Sequence, residues 1–450
     1  MRFALAGVLF ALSGIAAGDP AIDWTVEKGP VKAVNGVGQP PLIGFPELTM
    51  LHYLKDARIP YSRLHDVGGP YGRMTFVDIP NLFRDFEADE RDPASYDFAF
   101  TDVLVKALVD NGVEPFFRLG VTIENYVGLK TYRIDPPSDF GKWARICEHV
   151  IRHYTEGWAN GFAYKIGYWE IWNEPENYEA VEENCMWRAP FSEFIRFYGT
   201  VAPYLKTKFP HLKIGGYGSC GFYAAVGSDR IRAANSSPRL EYFVTCARQF
   251  LSAARDGKWP LDFFSYHSYS APDEALAQVS FARELLDAYG FAKTETCFNE
   301  WLPKPSHDAL GTACQAAMIA AELIGLQNGP CDIAMIYDAR CSVGNYSPLF
   351  NPLTYKPHKA YYAFLAFGEL RALGTAVACR SPDRNLWMSA AKGSSGRAVL
   401  LANCSDRAFA IPDLGIENPQ VRLTDDERTW ETVALPRELN PNGVLFVCGQ

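Results

Sequence analysis

The stretch from Ile166 to Asn177 reads Ile-Gly-Tyr-Trp-Glu-Ile-Trp-Asn-Glu-Pro-Glu-Asn. An apolar, aromatic run stops abruptly at Asn173-Glu174-Pro175. This is the pattern of a buried strand that delivers a carboxylate to the rim of a sheet. Pro175 has no N–H for a ladder bond, so pairing should end there. It also steers Glu174 away from the α region, and Asn173 sets an amide donor beside the acid. The tripeptide alone would also fit an ordinary strand-end turn. Its weight comes from the aromatic strand before it and a second carboxylate far downstream.

On either side of this strand the chain alternates. Apolar runs near residues 61, 113, 166, 212, 261, 293 and 331 read as strands, and one more is expected within 31–45. Helical periods separate them: 98–111, 140–155, 191–208, 240–256, 274–289, 309–327 and 357–370. Strand and helix in turn at this spacing predict a parallel sheet covered by helices, and eight units close as a (β/α)8 TIM barrel. No Gly-rich phosphate turn follows the first strand, which disfavours an open dinucleotide-binding sheet. After Leu370 the pattern changes to short apolar segments between Ser-Pro-Asp, Gly-Ser-Ser-Gly and Pro-Asn-Gly turns. That predicts a C-terminal antiparallel β-sandwich of about 80 residues, to which Ile22–Val26 would add a strand. The expected organisation is a signal peptide over 1–18, an α/β barrel over 31–370, and a β-sandwich built from 19–30 plus 371–450.

The 450 residues are 48% hydrophobic and 21% charged, with a formal net charge of −9. No basic stripe stands ready for a phosphate backbone, so nucleic acid is excluded as a partner. Arg2, the apolar run from Phe3 to about Leu12 and the small residues ending Ala16-Ala17-Gly18 have the layout of a signal peptide. That run is too short for a membrane span, and no other is long enough. The expectation is a secreted or periplasmic protein without a membrane span. The 11 cysteines are odd in number and leave room for one or two bridges without specifying a pairing.

On these strand assignments polar residues gather at the C-terminal ends: Arg63 and His65, Arg118, Asn173 and Glu174, His267 and Tyr269, Asn299, Glu300 and Trp301, Tyr337 and Asp338. In a barrel those ends converge on one cleft. Glu174 and Glu300 each follow an Asn and each close an apolar strand. Paired carboxylates across a cleft are the equipment of glycoside cleavage. One stays protonated to serve the leaving oxygen, and the other is ionised to attack the anomeric carbon. Glu300, with Arg63 and Tyr269 as candidate neighbours, suits the nucleophile, and Glu174 suits the acid and later base. Glu170, deeper in its strand, reads as a buried partner for Arg or Tyr, and Glu176, beyond Pro175, as solvated. His149 and His153 lie four apart on a helix but lack the zinc-protease order and a third ligand, so they read as a solvated face.

Trp172-Asn173-Glu174-Pro175 on a fourth strand and Asn299-Glu300-Trp301 on a seventh resemble the clan A retaining glycoside hydrolases, and most of all glycoside hydrolase family 39. The resemblance covers about residues 31–370 and the C-terminal sheet. It implies a retaining O-glycosidase of the β-xylosidase and α-L-iduronidase family, with a barrel and an attached β-sandwich and without cofactor or metal. It implies Glu174 as acid/base and Glu300 as nucleophile. Asn173 would bind the sugar 2-hydroxyl, Arg63 and Tyr269 would orient Glu300, and His65 and His267 would line the sugar site. Trp301 and Tyr337 complete the expected substrate-binding set. The partner is an oligo- or polysaccharide, with exo action on a xyloside-like or related glycan linkage as the leading expectation. An endo-acting polysaccharidase of the same clan and a non-catalytic carbohydrate-binding protein on a retired barrel are the alternatives. Arg340 and Lys304 stand where a uronic acid would need a cation. The sequence leaves the sugar and the oligomeric state open.

Overall fold

The structure, a computed structural model, describes residues 21–42, 50–67, 76–123, 134–226, 237–303 and 306–450. The expected signal peptide lies outside these residues, as does Lys304. The strands are β1 Ile22–Pro30, β2 Ala33–Gly38, β3 Tyr61–Leu64, β4 Glu114–Leu119, β5 Tyr168–Ile171, β6 Lys213–Ser219, β7 Phe263–Ser268, β8 Glu295–Trp301 and β9 Ile333–Ile336. After them come β10 Thr375–Cys379, β11 Leu386–Gly393, β12 Gly396–Asn403, β13 Phe409–Ala410, β14 Gln420–Thr424, β15 Glu431–Val433, β16 Glu438–Leu439 and β17 Val444–Gly449. The helices are α1 Leu51–Asp56, α2 Ile79–Leu82, α3 Ala99–Asp110, α4 Phe140–Glu156, α5 Phe191–Lys208, α6 Pro238–Gly257, α7 Pro272–Ala288, α8 Ala313–Asn328 and α9 Lys359–Leu373.

Strands β2 to β9 close into a parallel barrel, each paired with the next and β9 back to β2. Its strands are buried on both faces, which is why they read as apolar runs rather than alternating ones. Phe116, Phe263, Cys297, Ile333 and Met335 fill the lower interior, with Tyr61 and Tyr168 against them. The outward side chains join the large cluster beneath the helices. Local chemistry sets the helix ends: Asp139 accepts from the Lys142 N–H at the start of α4 and Thr312 from the Gln315 N–H at the start of α8. Gly157, at φ 75, closes α4 in the left-handed region.

The C-terminal sheet has seven strands in the order β1-β10-β11-β12-β17-β14-β15, with β13 and β16 forming a separate two-stranded ribbon. Period-2 alternation gives the sheet two different faces. Val377, Met388, Val399, Leu401, Leu445 and Val447 form a small core with Phe409 and Leu439 of the ribbon. Ala376, Ala391, Ala398, Leu400, Ala402 and Phe446 turn the other way and join the barrel's cluster, against α8 and α9. Small alanines on that face let the helices approach closely.

Helix α8 is buried almost all round and carries an anomaly. Glu322 is fully buried, and neither carboxyl oxygen has a hydrogen-bond partner among the described residues. Burial raises it well above the ordinary glutamate value, so the folded chain holds a proton there that the unfolded chain loses near pH 4. A raised carboxyl pKa stabilises fully below the unfolded value and loses that contribution as pH rises through the folded one. Glu322→Leu is therefore expected to raise stability at pH 7 by about 1–3 kcal/mol, with the gap widening from pH 5 to 8 in denaturant melts. A gap that is flat with pH would contradict the buried acid.

Candidate active site

The site is built in layers up the barrel axis. Above the apolar floor, alternation turns Arg63, Glu170, Ser265 and Asn299 inward, all of them buried. Arg63 is the hub: Nε donates to Glu170 Oε2, Nη1 to Glu300 Oε1 and Nη2 to Asn173 Oδ1, each at 2.6 Å. Ser265 Oγ and Asn299 Nδ2 both donate to Glu170 Oε1 at 2.6 Å. A buried guanidinium is tolerable only with such a full set of acceptors. Glu170 is thus the buried arginine partner that its place in the strand suggested.

Two local irregularities aim the upper carboxylates. Tyr266 of β7 pairs with Phe298, but the next residue, His267, pairs with Glu300, so β8 carries one extra residue at Asn299. This bulge lets consecutive side chains, Asn299 and Glu300, both face the interior. On the other side, Trp172 and Glu174 have φ of 69 and 43. The chain turns sharply, Trp172 packs outward against Trp187 and Phe197, and the Glu174 N–H donates to the Gly218 carbonyl at 2.9 Å.

The two acids now face each other. An oxygen of Glu174, a ring nitrogen of His267 and an oxygen of Glu300 lie within 4.8 Å of one another. Glu300 Oε2 accepts from the Tyr269 hydroxyl at 2.7 Å. Glu174 Oε1 sits 2.7 Å from His267 Nδ1, and its Oε2 accepts from Asn177 Nδ2 at 2.8 Å. Burial opposes charge on His267, but Glu300 and Glu174 together carry it above the ordinary histidine value. Burial also opposes charge on Glu174, yet the hydrogen bond and charge of His267 bring it below the usual carboxylate value. Glu300 is raised, by burial first and with the Glu174 charge adding, against the pull of His267 and Arg63. His65 is held well below its ordinary value by burial and then by Arg63, so it is neutral. The Glu174–His267–Glu300 trio has the donor types of a metal site, and with Glu300 bonded to Arg63 and Tyr269 and Glu174 to His267 and Asn177 it is equally a set suited to acid–base work.

Of the residues expected here, the structure brings Arg63, His65, Asn173, Glu174, His267, Tyr269 and Glu300 to one rim. Tyr337 joins them from just beyond β9, its ring 6.2 Å from that of Tyr269. Trp301 does not. Because the bulge shifts the alternation, it points out of the barrel, is fully buried and stacks on Phe364 of α9 at 6.1 Å. Glu176 is not solvated either. It is fully buried, accepts from Ser219 Oγ at 2.8 Å and the Cys220 N–H at 2.9 Å, and burial raises it to about 7. His153 is likewise buried, held by the Trp158 carbonyl and Asp102. Three residues escaped the sequence reading: Asn177, Asp66 and Tyr346, whose ring lies 5.2 Å from that of Tyr269. All three sit in loops, where no periodicity marks them. For Asp66 the only signal was its place directly after His65.

Glycosyl hydrolases family 39 matches residues 71–307. A β-xylosidase of Geobacillus stearothermophilus is 24% identical over 282 residues, 55% of this chain and 50% of that protein. The chain therefore spans about half the length of that curated relative. A glucosidase from Croceicoccus marinus superposes with a TM-score of 0.73 at 20% identity, over 94% of this chain and 96% of that one. A monomeric β-xylosidase from Caulobacter crescentus CB15 superposes with a TM-score of 0.64 at 16% identity, over 95% and 98%. At these identities the two structures share the fold with this chain.

Proposed function

The chain belongs to family 39 of the glycosyl hydrolases, and from that premise we propose that it is a retaining O-glycoside hydrolase, exo-acting on a xyloside-like linkage. The observation that carries this reading is the carboxylate pair: oxygens of Glu174 and Glu300 within 4.8 Å. Retention needs roughly 5–5.5 Å between the carboxyl groups and inversion about 6.5–9.5 Å, because inversion must seat a water between acid and sugar.

The roles follow from the partners. Glu300 is the nucleophile, since Arg63 and Tyr269 both donate to it and favour its ionised form. Glu174 is the acid/base, fed by His267. The protein's own groups lean the proton balance the other way, with Glu300 raised and Glu174 lowered by His267. A bound glycoside reverses it. As the glycosidic bond lengthens, the anomeric carbon gains positive charge beside Glu300 and favours that carboxylate. The proton for the leaving oxygen then comes from the Glu174–His267 pair, which titrates as a unit. Attack by Glu300 gives a glycosyl ester, and ionised Glu174 takes a proton from the water that cleaves it. Asn173, held through Oδ1 by Arg63, keeps its Nδ2 for the sugar 2-hydroxyl. A wall that includes Tyr346 supports exo action, and the Arg2-led apolar run of residues 1–18 supports secretion.

The test is stereochemical. Proton NMR in the first minutes of turnover is expected to show the product sugar with the anomeric configuration of the substrate. Initial appearance of the opposite anomer would end the retaining mechanism.

A further inference from the structure

Asp66 is a buried carboxylate in a backbone conformation that favours glycine. Its φ is 52, and its side chain is 7% exposed. An aspartate tolerates this region better than most residues, but glycine would occupy it without strain. A side chain kept at such a position, at the mouth of a site, calls for a use. Oδ2 accepts from the Tyr337 hydroxyl at 2.9 Å. Oδ1 makes no hydrogen bond among the described residues. It lies 3.4 Å from His65 Nε2, which in turn is 3.7 Å from Glu300 Oε1. Asp66 and the nucleophile thus flank one histidine. Tyr337 meets the rings of Tyr269 and Tyr346 edge-on, so the same wall leads back to the Glu300 hydroxyl donor.

Among the described residues, each arginine of this rim already faces an acid. Arg63 is shared among three acceptors. Arg340 grips Asp338 with Nε at 2.8 Å and Nη2 at 2.6 Å. Arg118 is paired with Asp78 through Nη2 at 2.6 Å, while its Nε and Nη1 make no hydrogen bond among the described residues. A carboxylate on the sugar would enter a buried, acid-rich corner whose arginines each face an acid already, at a large desolvation cost.

We propose that Asp66 is a specificity-determining residue whose carboxylate accepts a hydroxyl of an uncharged glycon and rejects a uronic acid at the same place. This rests on the glycosidase reading above and adds the substrate class to it. A charged acceptor bonded to a sugar hydroxyl discriminates strongly, because the wrong ligand leaves it buried and unpaired.

The test measures kcat/KM of the wild type, Asp66→Asn and Asp66→Gly on aryl xyloside, glucoside, galactoside, arabinoside and glucuronide. Asp66→Gly suits the left-handed backbone, so it removes the carboxylate without straining the fold, and a thermal melt checks this. The wild type is expected to prefer a neutral glycoside over the glucuronide by at least about 100-fold. Both variants are expected to lose about 10- to 100-fold on that substrate and to narrow the preference. On the single-deoxy analogue lacking the bound hydroxyl, the wild type should lose its advantage over both variants. Neutral glycosides cleaved equally well by all three proteins, or a wild type that prefers the glucuronide, overturns this inference alone. A wild type that cleaves nothing in the panel overturns the hydrolase reading and this one with it.

Discussion

Glu300→Ala is expected to lower kcat on every glycoside by on the order of 10^4-fold or more. No other carboxylate among the described residues faces Glu174 across the cleft, so no covalent route survives the deletion. The fold should survive it. Arg63 keeps Glu170 and Asn173 as acceptors at 2.6 Å. The Tyr269 hydroxyl and one guanidinium nitrogen lose a partner, which costs about 1–3 kcal/mol. Glu300→Gln keeps those contacts with an uncharged oxygen and should be as inactive but more stable than the alanine variant. Turnover within tenfold of wild type in either, with a normal melt, would remove Glu300 from the chemistry.

Glu174→Ala should divide substrates by leaving group. Where the leaving oxygen needs its proton, kcat should fall by about 10^2–10^4-fold. Where it leaves as a stable phenolate, the first step should proceed nearly unaided and the ester at Glu300 should accumulate. Azide needs no general base, so it should restore turnover on activated substrates and give a glycosyl azide of retained configuration. The pH profile should change too. Wild-type activity is expected to fall on the alkaline side as the Glu174–His267 pair loses its proton, above the ordinary histidine value because His267 is raised. Glu174→Ala should lack that limb on activated substrates. An alkaline limb that persists unaltered, with no azide product, would assign the proton to another group.

The barrel was legible because its strands are buried on both faces and its helices carry their own stop signals. Asn173-Glu174-Pro175 could be located from the aromatic strand before it and the second carboxylate downstream, although pairing ends at Ile171, before Pro175 is reached. The errors have one physical source, departure from regular pairing. Trp301 was assigned to the cleft because strict adjacency to Glu300 suggested a shared rim. The extra residue at Asn299 sends the indole to α9 instead. Glu176 was read as solvated because polar residues after a strand usually are. Here the loop folds back on β6, and Ser219 and the Cys220 amide hold the carboxylate inside. Asp66 could not be read at all, since its role depends on φ and on a tyrosine 271 positions away.

Strand β1 sits at the edge of the C-terminal sheet, zipped antiparallel onto β10, so that Ile22 meets Cys379 and Pro30 meets Thr375. During synthesis this segment emerges early, yet its partner leaves the ribosome only after the whole barrel has been made. Until then its ladder groups stay open to solvent and to chance pairing. The pairing of β1 with β10 is therefore a closure across the whole length of the barrel, slow for its long sequence separation. It ties a segment made before the barrel to the late-made sheet that braces it.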